Sequence, residues 1–452
     1  MKKPEPRVIV FIIADSLRYD TCYPYIRKAM PYLYRHSTHF HQVRSSGCWT
    51  LPSHASMFTG RWLHEHGQNT QMRKAGHRYP MLADLLKDKG YYNLMITSNV
   101  VVTDIFGLNR GFDETRKIWR ELDHQTLGVF LTLLGYVWRP RLRKRFVKSF
   151  VNNKMAEDIE SLRAFFKSYA SHMLALARQR LTELLQNRRR VFLFFNFYDF
   201  HFPYLSEDTF RFETRGIRNK YREFRSLMDI INNNHMKDLN YQPNLKMMQR
   251  IKDRQRQCFE RVGPLIDEFS RWVRKMEPDS TIVFSSDHGE NFGEEQWLYH
   301  FANVTEGGNR VPLLWSSPGE KGVAGVDTQV SLKDVFGSFL QEAGIRKPEA
   351  WHLKKTPERS TSIIESIWYD AKNKTIPEFK RNQFAFVAGD QKFVYRKQKW
   401  FYTPVNTDSP TRHLTSFDHS DPFSAAGLDT EKKTEVKTAW KNFVTFEKKI
   451  PR

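Results

Sequence analysis

Short, almost uninterrupted apolar runs recur along this chain, at residues 8–14, 93–98, 191–197, 281–285 and 311–315. A strand that is apolar at nearly every position has no side to give to water, so it must be covered on both faces. Helical patterns lie between the runs. Leu82, Leu85 and Leu86 mark a helix over 79–89 stopped by Gly90, a second spans 155–185, and Val262, Leu265, Ile266, Phe269, Val273 and Met276 mark a third. Alternation of this kind predicts an α/β fold, a mostly parallel sheet between two helical layers. No repeat of roughly 20 to 50 residues is present, which excludes solenoids and propellers.

The residues that close the strands point to chemistry. In open α/β sheets, ligands gather beyond the carboxyl ends of the strands. Here those ends read Asp15, then Ser98-Asn99, then Asp199 with His201, then Asp287-His288. Asp15, Asp287 and His288 form a mixed oxygen and nitrogen set suited to a divalent cation: Zn, Mn, Mg or Ca. In the stretch 47–60, Pro52 suits the first turn of a helix that runs to Thr59 and stops at Gly60. Thr50 then sits just before the helix, where unpaired N–H groups and the positive dipole end favour an anion. A hydroxyl there is a nucleophile toward phosphoryl or sulfuryl groups once a metal lowers its pKa. The plain alternative is that Thr50 is only an N-cap.

Composition bounds the rest. The chain has 452 residues, 40% of them hydrophobic, which excludes disordered and low-complexity classes. Cys22, Cys48 and Cys258 are too few for a disulfide framework, so a reducing, cytoplasmic setting is expected. The apolar run 8–14 ends at Asp15 with no cleavage pattern behind it and reads as a strand, not a signal peptide. Residues 127–138 are apolar but fall short of the roughly 20 needed to span a bilayer. The basic run 139–154 behind them fits either an element peripheral to a membrane or an insertion with a solvated basic face. A net charge of +22 favours anionic ester substrates, with glycans or lipid headgroups as candidates.

Five ordered motifs carry a resemblance. Asp15-Ser16-Leu17-Arg18-Tyr19-Asp20, Thr50-Leu51-Pro52-Ser53-His54 with Thr59-Gly60, Asp199-Phe200-His201-Phe202-Pro203-Tyr204, Ser286-Asp287-His288-Gly289-Glu290 and Arg310-Val311-Pro312-Leu313 occur in the order seen in sulfatase-like hydrolases of the alkaline phosphatase superfamily. The resemblance implies an alkaline-phosphatase-like three-layer sandwich over 1–375, with basic insertions at about 115–190 and 205–260. A small C-terminal antiparallel subdomain follows over 376–452, with short strands near 384–387, 392–395 and 400–402 and a closing helix over 432–448. It also implies that Asp15, Thr50, Asp287 and His288 hold the metal and that Thr50 is the nucleophile. His201 and His300 would bind nonbridging oxygens or protonate the leaving group, with His54 and Asn99 as further substrate contacts. Plainer alternatives are a helix residue for His54 and an idle loop histidine for His300.

The departures from that family pattern matter as much. Sulfatases place Cys or Ser, matured to formylglycine, where this chain has Thr50, which cannot become that aldehyde hydrate; Cys48 lies two positions too early. Ser16 replaces the second of two adjacent metal-binding aspartates, and no Lys and His pair follows Asn99. Threonine resembles instead the phosphoryl-transfer relatives. The expectation is a metal-dependent hydrolase of phosphate esters, ahead of sulfate esters, acting through Thr50. A phosphoryl transferase to a glycan or lipid acceptor is the alternative, and a basic nucleic-acid or membrane-surface binding protein the alternative of another class. No specific nucleic-acid module is recognisable.

Overall fold

The computed structural model describes residues 5–69, 78–118, 169–202, 204, 245–294, 300, 303–318, 324–346, 353, 361–366, 382–396, 398–405, 415–416 and 421–449. Among them the large sheet is built from β1 (Val8–Ala14), β2 (Thr38–Arg44), β3 (Tyr91–Thr97), β4 (Glu114–Lys117), β5 (Arg190–Phe197), β6 (Thr281–Ser285), β7 (Arg310–Ser316) and β8 (Ala324–Ser331). Their order is β4-β3-β5-β1-β6-β7-β2-β8, and only β7 runs against the rest. β1 lies at the centre, paired in parallel with β5 and β6.

Side-chain alternation along β1 explains the layers. Val8, Val10, Ile12 and Ala14 enter one core with Ile26, Phe259 and Ile266, from the helices Tyr19–Ala29 and Leu245–Met276. Ile9, Phe11 and Ile13 enter the other with Leu51, Leu86 and Phe339, from the helices Thr50–Thr59, Leu82–Asp88 and Val335–Glu342. Each such side chain is worth roughly 1.5–3 kcal/mol on burial, so a central strand buried on both faces is a rigid base for what lies at its end.

Parts of both expected insertions fall among the described residues. The span 115–190 opens within β4 and closes with the helix Ala170–Gln186 and the start of β5, while the span 205–260 ends in helix from Leu245 onward. Buried Met173, Ala177, Leu181 and Leu184 in the first, and Ile251, Gln255, Cys258 and Phe259 in the second, give these helices their inward faces. The apolar stretch 127–138, the basic run 139–154 and the remainder of both insertions lie outside the described residues.

A second, antiparallel sheet contains β9 (Thr361–Ser366), β10 (Gln383–Ala388), β11 (Gln391–Arg396), β12 (Lys399–Pro404) and β13 (Thr415–Ser416). It starts at β9, upstream of residue 376. The helix Thr430–Lys449 lays Val436, Ala439 and Phe443 against Phe384 and Phe386. No helix among the described residues is long and apolar enough to cross a membrane.

Two largely buried ionic links join this sheet to the rest of the chain. Glu306 accepts from Arg44 of β2 at 2.8 Å and from Lys392 of β11 at 2.9 Å. Burial opposes ionisation of Glu306, but these cations outweigh it and hold its pKa far below the carboxylate range. The second link pairs His64 with Glu365 of β9, which accepts from the His64 backbone N–H at 2.9 Å and meets Nδ1 at 2.5 Å. Burial disfavours the charged ring, yet Glu365 raises its pKa above the ordinary 6.5. Such a group adds stability that is complete below its unfolded-state pKa and is lost as pH rises through the folded one. The unfolding free energy of the wild type, relative to Glu365→Gln, should therefore fall as pH rises past about 6.5; a flat difference in urea titrations from acid to alkaline pH refutes the link.

Candidate metal centre and nucleophile

Register brings the strand ends together. Residue 13 of β1 pairs with Asn196 of β5 and with Ser285 of β6, so Asp15, the Asp199 to His201 turn and Asp287-His288 emerge on one edge. Ser16 then takes a left-handed backbone with φ of +64°. That conformation is uncommon for a residue with a side chain and is usually kept for a reason. Here it turns the Ser16 N–H onto Asp287 Oδ1 at 3.1 Å.

Asp15, Asp287 and His288 are fully buried, and one ligand atom from each lies within 4.8 Å of the others. His288 Nδ1 donates to the Gly289 carbonyl at 2.8 Å, so the lone pair of Nε2 faces the carboxylates, 3.4 Å from Asp287 Oδ2 and 3.8 Å from Asp15 Oδ1. Burial pushes the His288 pKa well down and keeps the ring neutral, as a metal ligand must be. Burial raises Asp287 far above the carboxylate range, with the Asp15 charge adding to it. At Asp15 burial acts the same way, but His201, His288, His54 and the Asn99 amide outweigh it and hold that pKa low. Asp287 Oδ2 accepts no hydrogen bond in its buried position. Two facing carboxylates, an orphaned oxygen and an imidazole lone pair fit a divalent cation.

Thr50 completes the cluster. The helix Thr50–Thr59 is capped by the extended backbone of Trp49, so Thr50 is its first helical residue and not, as its spacing from Pro52 suggested, the residue before it. Its hydroxyl caps no backbone group of this helix and faces His288 Nε2 at 3.4 Å. At the far end Gly60, with φ of +66°, closes the helix by donating to the Ser56 carbonyl at 2.9 Å. Phe336 packs so closely there that a Cβ on Gly60 would lie 2.6 Å from its ring. A Cβ on Gly47 would meet Pro52 at 3.0 Å, so both ends of the segment are pinned.

His201 and His300 line the same cluster. The His300 ring lies 4.3 Å from that of His288 and 4.9 Å from that of His201. His201 Nδ1 donates to the Phe202 carbonyl at 2.8 Å, while Tyr198 stacks on its ring. His300 Nδ1 and Glu290 Oε1 share a hydrogen bond of 3.0 Å, and burial pushes the Glu290 pKa up to about 8.

His54 and Asn99 take places other than the expected substrate contacts. Asn99 Nδ2 donates to Asp15 Oδ2 at 2.6 Å and its Oδ1 accepts from the Val101 N–H, so the amide is committed to the protein. His54 is fully buried with both ring nitrogens engaged, by the Thr50 carbonyl at 2.8 Å and by Asn196 Nδ2 at 3.2 Å. Burial lowers its pKa to about 4, leaving it neutral. Asp199 likewise turns from the cluster to accept the Tyr169 N–H. Cys48 is buried with its thiol on Ser366.

Sequence reasoning missed Asn196, Glu290 and Gln255. Gln255 donates to the carbonyls of Ser16 and Phe200 and so ties two strand-end loops to the long helix. The one available signal was a lone polar residue inside an apolar stripe, at Asn196 in β5 and at Gln255 in its helix. Asp287→Asn or Asp15→Asn should weaken Mn²⁺ binding by more than about a hundredfold, beyond the 10- to 100-fold typical of residues behind the ligands. Paramagnetic resonance titration reads this directly, and wild-type affinity in either variant removes the centre.

Comparison with known proteins adds the following. The family model described as Sulfatase matches residues 7–345. A choline-sulfatase of Rhizobium meliloti is 38% identical over 89 residues, which are 18% of this chain and 17% of that protein, so the match spans less than a fifth of the relative. The phosphonate monoester hydrolase of Agrobacterium radiobacter superposes with a TM-score of 0.64 at 15% identity, over 96% of each chain. A protein solved with its substrate D-glucosamine-2-N,6-O-disulfate superposes with a TM-score of 0.62 at 14% identity, over 99% of this chain and 100% of that one. These superpositions speak to fold.

Proposed function

Because this chain belongs to the sulfatase family, we propose that it is a metal-dependent hydrolase of phosphate esters, ahead of sulfate esters, with Thr50 as nucleophile. The observation that carries this reading is the Thr50 hydroxyl, at the first turn of its helix and 3.4 Å from His288 Nε2, beside two buried carboxylates. A divalent cation, with Zn, Mn, Mg and Ca as candidates, held by Asp15, Asp287, His288 and Thr50, would supply Lewis acidity to the hydroxyl and to a nonbridging oxygen. Thr50 Oγ1 passes its proton to His201 or His300 and forms a bond to phosphorus as the ester P–O bond breaks, and that ring gives the proton on to the leaving oxygen. Water then attacks the phosphorus, releasing inorganic phosphate and returning the Thr50 hydroxyl. The positive dipole end of the helix Thr50–Thr59 would favour the negative charge that develops in both steps.

Thr50 favours phosphate for a chemical reason. A formylglycine hydrate sheds its sulfate by collapse of the second hydroxyl on the same carbon. Threonine has one oxygen on Cβ, so release depends on water attacking the transferred group, a step that metal-assisted phosphoryl chemistry provides. Relatives named for sulfate and for phosphonate esters support a reaction on a tetrahedral ester group. Charge of +22 supports anionic substrates, with phosphorylated glycans and lipid headgroups the first classes to test. Three buried cysteines, none of them in a disulfide, support a reducing, cytoplasmic setting.

Purified protein with Mn²⁺ or Zn²⁺ should hydrolyse a chromogenic phosphomonoester or phosphodiester faster than the matching sulfate ester. Thr50→Ala should lose at least about a thousandfold in kcat, as nucleophile deletions do, while Thr50→Ser keeps measurable turnover. Full rate in Thr50→Ala would overturn the mechanism.

A further inference from the structure

We propose that His54, acting with Asn196, is a positioning residue that ties the backbone of Thr50 to the carboxylate of Asp15. The proposal rests on the reading of Thr50 as nucleophile, and it gives His54 a task inside the site that no substrate contact explains. His54 stands four residues after Thr50, so its side chain points back along the helix toward it. Nδ1 donates to the Thr50 carbonyl at 2.8 Å, which leaves Nε2 as an acceptor. Asn196 Nδ2 fills that acceptor at 3.2 Å and with its other hydrogen donates to Asp15 Oδ2, also at 3.2 Å. Asn99 adds a third member, donating to the same Oδ2 at 2.6 Å. Oδ2 of Asp15 is thus spent on two amides, and Oδ1 is the atom turned to His288 Nε2.

Packing alone does not account for a ring here. Phe58 and Phe194 stand edge-on to His54 at 5.9 and 6.0 Å, in surroundings that an aliphatic side chain would fill without loss of solvation. Both nitrogens have partners, Nδ1 on the Thr50 carbonyl and Nε2 on Asn196, and Asp287 Oδ2 lies 3.5 Å from Nδ1 as well.

Amide replacements separate the two arms. Asn at this position sets its NH₂ near the place of Nδ1 and keeps the Thr50 link; Gln sets its oxygen near the place of Nε2 and keeps the Asn196 link. Mn²⁺ affinity, titrated by paramagnetic resonance without any substrate, should fall about tenfold in His54→Asn and in Asn196→Ala, the low end for residues that orient ligands. It should stay near wild type in His54→Gln. Turnover of a chromogenic phosphomonoester at saturating Mn²⁺ should show the opposite bias: kcat falls about tenfold in His54→Gln with KM unchanged. Joining Asn196→Ala to His54→Asn should add no further loss of Mn²⁺ affinity, because the two act on one link. Equal Mn²⁺ affinity in wild type, His54→Asn and His54→Gln, all folded by circular dichroism, overturns the proposal, as does an equal loss in both. Unchanged turnover in Thr50→Ala removes the nucleophile while leaving the Mn²⁺ result to judge His54 separately.

Discussion

Two carboxylates held within one dry pocket repel each other, and much of this architecture serves to hold them there. Asp15 and Asp287 come from adjacent parallel strands whose register permits no lateral slip. Taking such charges out of water costs several kcal/mol apiece unless partners repay it. The repayment at Asp15 is visible in the Asn99, Asn196 and Ser16 hydrogen bonds, and at Asp287 Oδ1 in two backbone N–H groups. Asp287 Oδ2 is left over. A protein that satisfies three oxygens and leaves the fourth bare has prepared a place for positive charge.

The smaller sheet contributes from a distance. Glu306 begins the short helix Glu306–Asn309, and the carbonyls of Gly307 and Gly308 accept from the N–H groups of Glu290 and Gly289, beside His288. Lys392, reaching Glu306 from β11, therefore steadies the segment that frames the ligands. Glu365 does the same on both sides of the segment from Gly47 to Gly60, through His64 after it and through a backbone bond to Ser46 before it. The C-terminal sheet braces the helix Thr50–Thr59 and the loop after His288.

Much of this was legible beforehand, and the physics of each residue says why. β1 and most of β5 and β6 are apolar because they are covered on both faces, and Asp15, Asp287 and His288 stand out as titratable groups just past the ends of β1 and β6. Pro52 and Gly60 marked the helix at Thr50, though the spacing put Thr50 one place outside it. β2 and β8 were not, since His39, His41 and Gln42 in one and Gly325, Asp327 and Thr328 in the other break the apolar pattern. Asn99 and His54 were expected as substrate contacts from the resemblance alone, and their polar atoms are taken up by protein groups. Sequence spacing places a residue near the centre but does not say on which side of the ligands it stands.

The segment from Gly47 to Gly60 behaves as a gauge block. Pro52 crowds one end, Phe336 the other, and the helix between cannot slide along its axis. Removing one residue inside it would turn Thr50 by about 100° and shift it by about 1.5 Å. Change at this edge of the sheet is thus confined to swapping side chains on a frame of constant length, so different ester chemistries can arise here by substitution while the spacing between helix and ligands stays as it is.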